Sequence, residues 1–271
     1  MKKLNIEEFC PEHFMQKIDG RQYGTVENVE YFSAACNKTR PANVLLPNGY
    51  HPKIKSPVLY VLHGFFCTQF TMLQDDDSCN QKIIANLIEE RLAKPMIVVF
   101  PYIFASTTKE VCDGFSEENV NAYNSFLNDL TGDLMPFIEK KYSVKTGAEN
   151  TAIIGFSMGG RESLAAGITY PKKFGYVGAI APAPGLVPCK DSIMQHPGQF
   201  AGEDKIVFDG DLQILMVCCG DSDKVVIDFP EQYHNIMVKN RQPHDWYLVT
   251  GSDHANPAIA SGIYNFCKNI F

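Results

Sequence analysis

The chain has 271 residues, a formal net charge of -7 and a pI near 5.5. An acidic balance with no basic stripe excludes a nucleic-acid partner, because phosphate binding needs clustered Lys and Arg. No stretch approaches the ~18 apolar residues of a membrane span, and 45% hydrophobic with 20% charged residues is the balance of an ordinary globular protein.

In chain order, the start through Glu8 has two lysines but no apolar stretch behind them. It therefore reads as cytoplasmic, or as secreted if a leader has been removed. Segments 21–33 and 41–46 read as an opening antiparallel pair. Residues 57–62 are a continuous apolar run entering a turn at His63-Gly64, as expected of a buried strand. The spacing of Ile83, Ile84, Leu87, Ile88 and Leu92 predicts a helix over 80–93. Residues 95–101 form the next strand, fenced by prolines. A long helix is expected over 117–141, with Ser116 as its N-cap and an acidic first turn. Strands follow at 151–156, 176–181, 212–219 and 246–249, and helices at 158–170, 228–240 and 257–270. This alternation predicts one α/β domain over 1–271, with a mainly parallel sheet covered on both faces.

Three features stand outside that pattern. Residues 184–211 are too long and too rich in Pro and Gly for a plain connector, and read as a loop insertion on the substrate side. The nine cysteines are odd in number and irregular in spacing, which suits free thiols better than a disulfide framework. The vicinal Cys218 and Cys219 read as buried strand residues. The acidic run 75–77 reads as a solvated loop.

Gly155-Phe156-Ser157-Met158-Gly159-Gly160 matches G-x-S-x-G, with a β-branched strand before it and an Ala-rich helix after it. That context is a nucleophile elbow, which stands a serine hydroxyl above the sheet on a strained turn. A hydroxyl needs a base, and the base needs an orienting acid, in the chain order Ser, Asp or Glu, His. His254 fits the base, since it follows the last strand in a glycine-containing loop. His244 precedes that strand, and His234, His196 and His63 read as structural. The acid belongs after strand 212–219, where Asp221 and Asp223 both stand. Asp223 is favoured because it lies farther past the strand, and the other aspartate would cap the turn. Oxyanion donors are expected from the N–H groups of Met158, after the nucleophile, and Phe65, after Gly64, with Phe66 as the fallback. Phe66, Tyr102, Phe104 and Phe115 lie on segments expected at the mouth of the site and could flank a planar ring.

Together, Val61-Leu62-His63-Gly64, Pro101, the segment Pro136–Val144, the elbow, Cys219-Gly220-Asp221-Ser222-Asp223 and Gly251-Ser252-Asp253-His254 resemble the esterase D-like branch of α/β-hydrolases. The likeness is closest to carbohydrate esterase family 1, the feruloyl and acetyl-xylan esterases, and runs from about residue 40 to the C-terminus. The resemblance implies Asp223 as the acid, no metal or organic cofactor, and hydrolysis of hydroxycinnamoyl esters of cell-wall saccharides. Its substrate would be a small-molecule or oligosaccharide ester, with no nucleic acid or membrane as partner. An S-formylglutathione hydrolase-type thioesterase, an acetyl-xylan esterase and an acyltransferase on the same fold remain open alternatives.

Overall fold

The computed structural model describes residues 3–74, 79–210 and 212–271. The acidic run 75–77 and Asp211 lie outside them. The strands are β1 (Thr25–Ser33), β2 (Lys38–Leu46), β3 (Val58–Leu62), β4 (Ile97–Pro101), β5 (Thr151–Phe156), β6 (Tyr176–Ile180), β7 (Cys189–Lys190), β8 (Gln195–His196), β9 (Ile214–Gly220) and β10 (Asp245–Val249). The helices are α1 (Glu12–Met15), α2 (Thr71–Gln74), α3 (Asn80–Glu89), α4 (Glu117–Asn124), α5 (Phe126–Asp129), α6 (Met135–Lys141), α7 (Met158–Thr169), α8 (Phe229–Lys239) and α9 (Ala258–Asn269). Among them no helix is long and apolar enough to cross a membrane.

Eight strands form one sheet in the order β1-β2-β4-β3-β5-β6-β9-β10. The β1–β2 and β2–β4 pairs are antiparallel, and the others are parallel. This is the mainly parallel sheet that the pattern of elements predicted, in the α/β-hydrolase arrangement that the resemblance implied. The parallel strands are continuous apolar runs because both of their faces are covered. Along β3, Tyr60 and Leu62 pack into one core layer while Leu59 and Val61 pack into the other. Helices α4 to α8 close the first layer, and α3 and α9 close the second. Each such buried side chain contributes about 1.5–3 kcal/mol relative to exposure.

The expected helix over 117–141 is present but interrupted. Ser116 Oγ accepts the Asn119 N–H at 3.2 Å and caps α4, as the sequence indicated. Between α5 and α6 the chain widens into a π turn over Leu130–Leu134. Pro136, at the start of α6, cannot donate to the preceding turn, and its ring would strike the Gly132 carbonyl of a regular helix. Of the expected insertion, the described residues 184–210 are largely irregular, but carry the small β7–β8 hairpin and a 3-10 turn at Glu203–Lys205.

Candidate active site

The elbow follows β5, and the turns after β3, β9 and β10 open at the same, carboxyl-terminal edge of the sheet, where ligands bind in open α/β folds. Ser157 has φ +56° and ψ -117°, a strained conformation for a residue with a Cβ. Its amide donates to Ile180 O at 2.9 Å, and its carbonyl accepts the Ala183 amide at 3.0 Å, so the turn is held on both sides. The two flanking glycines are required by contact. A Cβ on Gly155 would stand 2.3 Å from the Gly159 backbone, and one on Gly159 would stand 2.5 Å from Leu62 O.

The three side chains singled out from the sequence meet. The Ser157 hydroxyl lies 2.9 Å from His254 Nε2, and His254 Nδ1 lies 2.6 Å from Asp223 Oδ2. Asp223 Oδ1 accepts the amides of Val225 and Val226 at 2.9 and 3.1 Å. Burial alone would raise the Asp223 pKa. The hydrogen bond and charge of His254 and the two amides outweigh it and hold the carboxyl below its ordinary value. Asp221 is turned elsewhere: its Oδ1 accepts the Gly251 amide at 2.8 Å and the Ser222 hydroxyl at 3.0 Å, bracing the loop that carries His254.

The turn after β3 is organised by His63, which is buried. Its Nδ1–H donates to Gly64 O at 2.7 Å, and its Nε2 accepts the Ile103 amide at 3.0 Å. Burial pushes its pKa down to about 4, so the ring is neutral and structural. The Phe66 amide donates to the Tyr123 hydroxyl at 3.2 Å, which removes it as an oxyanion donor. Among the described residues, the amides of Phe65 and Met158 have no acceptor.

Ser157 and His254 lie in an apolar cavity of about 290 Å³, close to the lower end of the usual small-molecule range. Phe65, Phe66 and Phe115 form one wall, with Phe65 stacked on Phe115 at 4.8 Å and Phe66 edge-on to both. Tyr102 and Phe104 do not line it, which corrects the expectation for them. After β4 the chain turns inward, with the Tyr102 amide on Pro41 O and the Ala105 amide on Ala122 O. Tyr102 therefore stacks on the buried His63, and Phe104 packs against Tyr123.

The cavity is also lined by residues that sequence reasoning missed: Ile193 and Met194 from the hairpin, and Val225 and Val226 close to Asp223. His196 also lines the cavity, and its Nε2 lies 2.8 Å from Asp191 Oδ2. Asp191 Oδ1 accepts the amides of Ile193 and Met194, both at 2.7 Å. A Pro/Gly-rich insertion with the apolar pair Ile193-Met194 at its tip was the available signal. The fully buried Arg161 binds Glu162 at 2.7 Å and Pro184 O at 3.1 Å, tying the insertion to α7.

Burial raises the Asp191 pKa less than the Met194 amide and His196 lower it, so the net shift is downward. Asp191 and Asp223 thus stabilise the fold above the ordinary value of 3.8, and that contribution is lost as pH falls through their folded values. Urea midpoints measured from pH 7 down to pH 3 should therefore fall on the acid side, and less steeply in Asp191→Asn. An equally steep fall in that variant would show that Asp191 contributes nothing.

The Esterase family model, described as "Putative esterase", matches residues 33–253. The endo-1,4-beta-xylanase/feruloyl esterase of Xylanibacter ruminicola is 30% identical over 164 residues, which are 59% of this chain and 22% of that protein. The chain thus spans about a fifth of that relative's length. A CE1 ferulic acid esterase from the anaerobic fungus Anaeromyces mucronatus superimposes with a TM-score of 0.93 at 39% identity, covering 99% of this chain and 98% of that one. Its complex with ferulic acid gives the same TM-score at 41% identity and the same coverage. A family match over most of the sequence, and a solved CE1 esterase matched along nearly its whole length, mean that this chain belongs to the Esterase family, as a CE1-type carboxylic ester hydrolase of the α/β-hydrolase fold.

Proposed function

We propose that this protein is a serine esterase that releases hydroxycinnamic acids, ferulate above all, from esters of plant cell-wall saccharides. The observation that carries the reading is the hydrogen-bonded series Ser157–His254–Asp223 opening into an apolar, aromatic-walled cavity. A planar phenylpropenoyl group suits such a wall, because offset-stacked and edge-on ring contacts add about 0.5–1.5 kcal/mol beyond simple burial. The ferulic acid esterases among its relatives support the acyl group. They do not favour the thioesterase, acetyl-xylan esterase or acyltransferase alternatives.

The chemistry is acylation followed by deacylation. His254 Nε2 takes the Ser157 proton as the hydroxyl oxygen attacks the ester carbonyl. The amides of Phe65 and Met158 bind the oxyanion, each donor contributing about 2.7–4 kcal/mol in comparable sites. Asp223 keeps Nδ1 of His254 protonated and stabilises the imidazolium. His254 then protonates the leaving saccharide oxygen. Water, deprotonated by the same nitrogen, releases the acid and restores Ser157.

The test is steady-state hydrolysis of methyl ferulate beside p-nitrophenyl acetate. Cleavage of both is expected, with the larger kcat/KM on ferulate. Cleavage of acetate alone would overturn the acyl assignment. Phe66→Ala and Phe115→Ala are each expected to raise KM for methyl ferulate about fivefold to thirtyfold, from losing roughly 1–2 kcal/mol of aromatic contact. The acetyl ester, which has no ring to stack, should change little. Equal loss on both esters would assign these rings to the fold instead of the substrate.

A further inference from the structure

We propose that Cys219 is a positioning residue for the triad, its thiol donating to the same oxygen of Asp223 that accepts from His254. The inference rests on the serine-esterase reading and extends it by one residue. A carboxylate offers about four acceptor positions. On Asp223, two are taken by the amides of Val225 and Val226 on Oδ1. A third takes His254 Nδ1–H on Oδ2, at 2.6 Å. The fourth takes the Cys219 thiol, whose Sγ lies 3.8 Å from Oδ2, within reach of a sulfur donor.

Cys219 lies at the end of β9 in a buried position, four residues before Asp223. Burial, then the charge of Asp223, push its pKa well up, so it stays a thiol with a proton to donate. Strand alternation separates the vicinal pair. Cys219 shares the core layer of α7 and α8, while Cys218 faces the layer of α9. The ionisable groups acting on this cluster are Asp223, His254 and the neighbouring Cys218. Asp221 is turned to the Gly251 amide.

A thiol at this point does two things. It fixes the carboxylate plane, so that Oδ2 keeps facing the imidazole. It also draws off part of the carboxylate's charge, which sets how firmly the imidazolium is held and hence where the acid limb of the pH profile lies.

The experiment is the pH dependence of kcat/KM on p-nitrophenyl acetate for wild type, Cys219→Ser and Cys219→Ala. The alanine variant should lose about threefold to tenfold in plateau kcat/KM, a modest value for a hydrogen bond to a charged group. Its acid limb should move up by about half a pH unit, a threefold change in a protonation constant, because the less neutralised carboxylate holds the imidazolium more tightly. The serine variant, which keeps a donor, should retain the wild-type limb. Should the alanine variant fail to fold, Cys219→Val, which fills the space without donating, carries the same expectation. A limb that coincides with wild type in the non-donating variant, or one that moves equally in Cys219→Ser, overturns the inference. A wild type that hydrolyses no ester, or whose activity survives Ser157→Ala, would instead overturn the serine-esterase reading itself.

Discussion

Replacing Ser157 by alanine is expected to lower kcat on methyl ferulate by about 10⁴- to 10⁶-fold, the loss that removal of a triad nucleophile causes elsewhere. The fold should survive. The elbow is held by the Ser157 amide on Ile180 O and by the Ala183 amide on Ser157 O, and alanine keeps both. Alanine also keeps the Cβ, so the strain at φ +56° is the same in both proteins. What is lost is one hydroxyl and its 2.9 Å bond to His254, so the thermal midpoint should move by only a few degrees. Ferulate binding, measured by quenching of intrinsic fluorescence, should be retained, since the cavity walls are untouched. Activity above about a hundredth of wild type would rule Ser157 out as the nucleophile.

Asp223→Asn is expected to cost about 10⁴-fold in kcat at neutral pH, whereas Asp221→Asn should cost less than about threefold. In Asp223→Asn, the amides of Val225 and Val226 will hold the new side-chain carbonyl oxygen at the position of Oδ1. The NH2 group of that side chain then faces His254 Nδ1 and can only donate. The imidazole must present a lone pair there and carry its proton on Nε2, which can no longer accept from Ser157. At Asp221, asparagine can still accept the Gly251 amide and the Ser222 hydroxyl, so the His254 loop keeps its brace. The two variants compared on one ester decide the acid. A severe Asp221→Asn beside a mild Asp223→Asn would reverse the assignment.

Much of this site could be read from local sequence. The elbow is confined to six consecutive residues, with glycines demanded by backbone contacts of 2.3 and 2.5 Å. Asp223 and His254 could be placed because each follows a strand, and the carboxyl ends of parallel strands converge on one edge. The same reasoning failed for Tyr102 and Phe104. They also follow a strand, but hydrogen bonds to Pro41 and Ala122 draw that segment into the core. Whether an aromatic after a strand faces substrate or packing depends on partners 61 and 17 residues away in the chain (Pro41 from Tyr102, Ala122 from Ala105), and no local pattern encodes them.

The order of elements, the mainly parallel sheet, the elbow serine, and the loops that carry His254 and Asp223 were all legible in the chain. They follow from hydrophobic period, glycine placement and turn chemistry, which act over a few residues. Packing between distant elements set the remainder. It turned Asp221 to Gly251 and Asp223 to His254, gave the Phe66 amide to Tyr123, and brought the β7–β8 hairpin to the same cavity as Phe65 and Phe115. It also brought the Cys219 thiol onto Asp223. Each of these depends on which donor meets which acceptor, or which apolar faces meet, once the chain has folded back on itself. That pairing is fixed only when the layers pack and every buried polar group must find a partner.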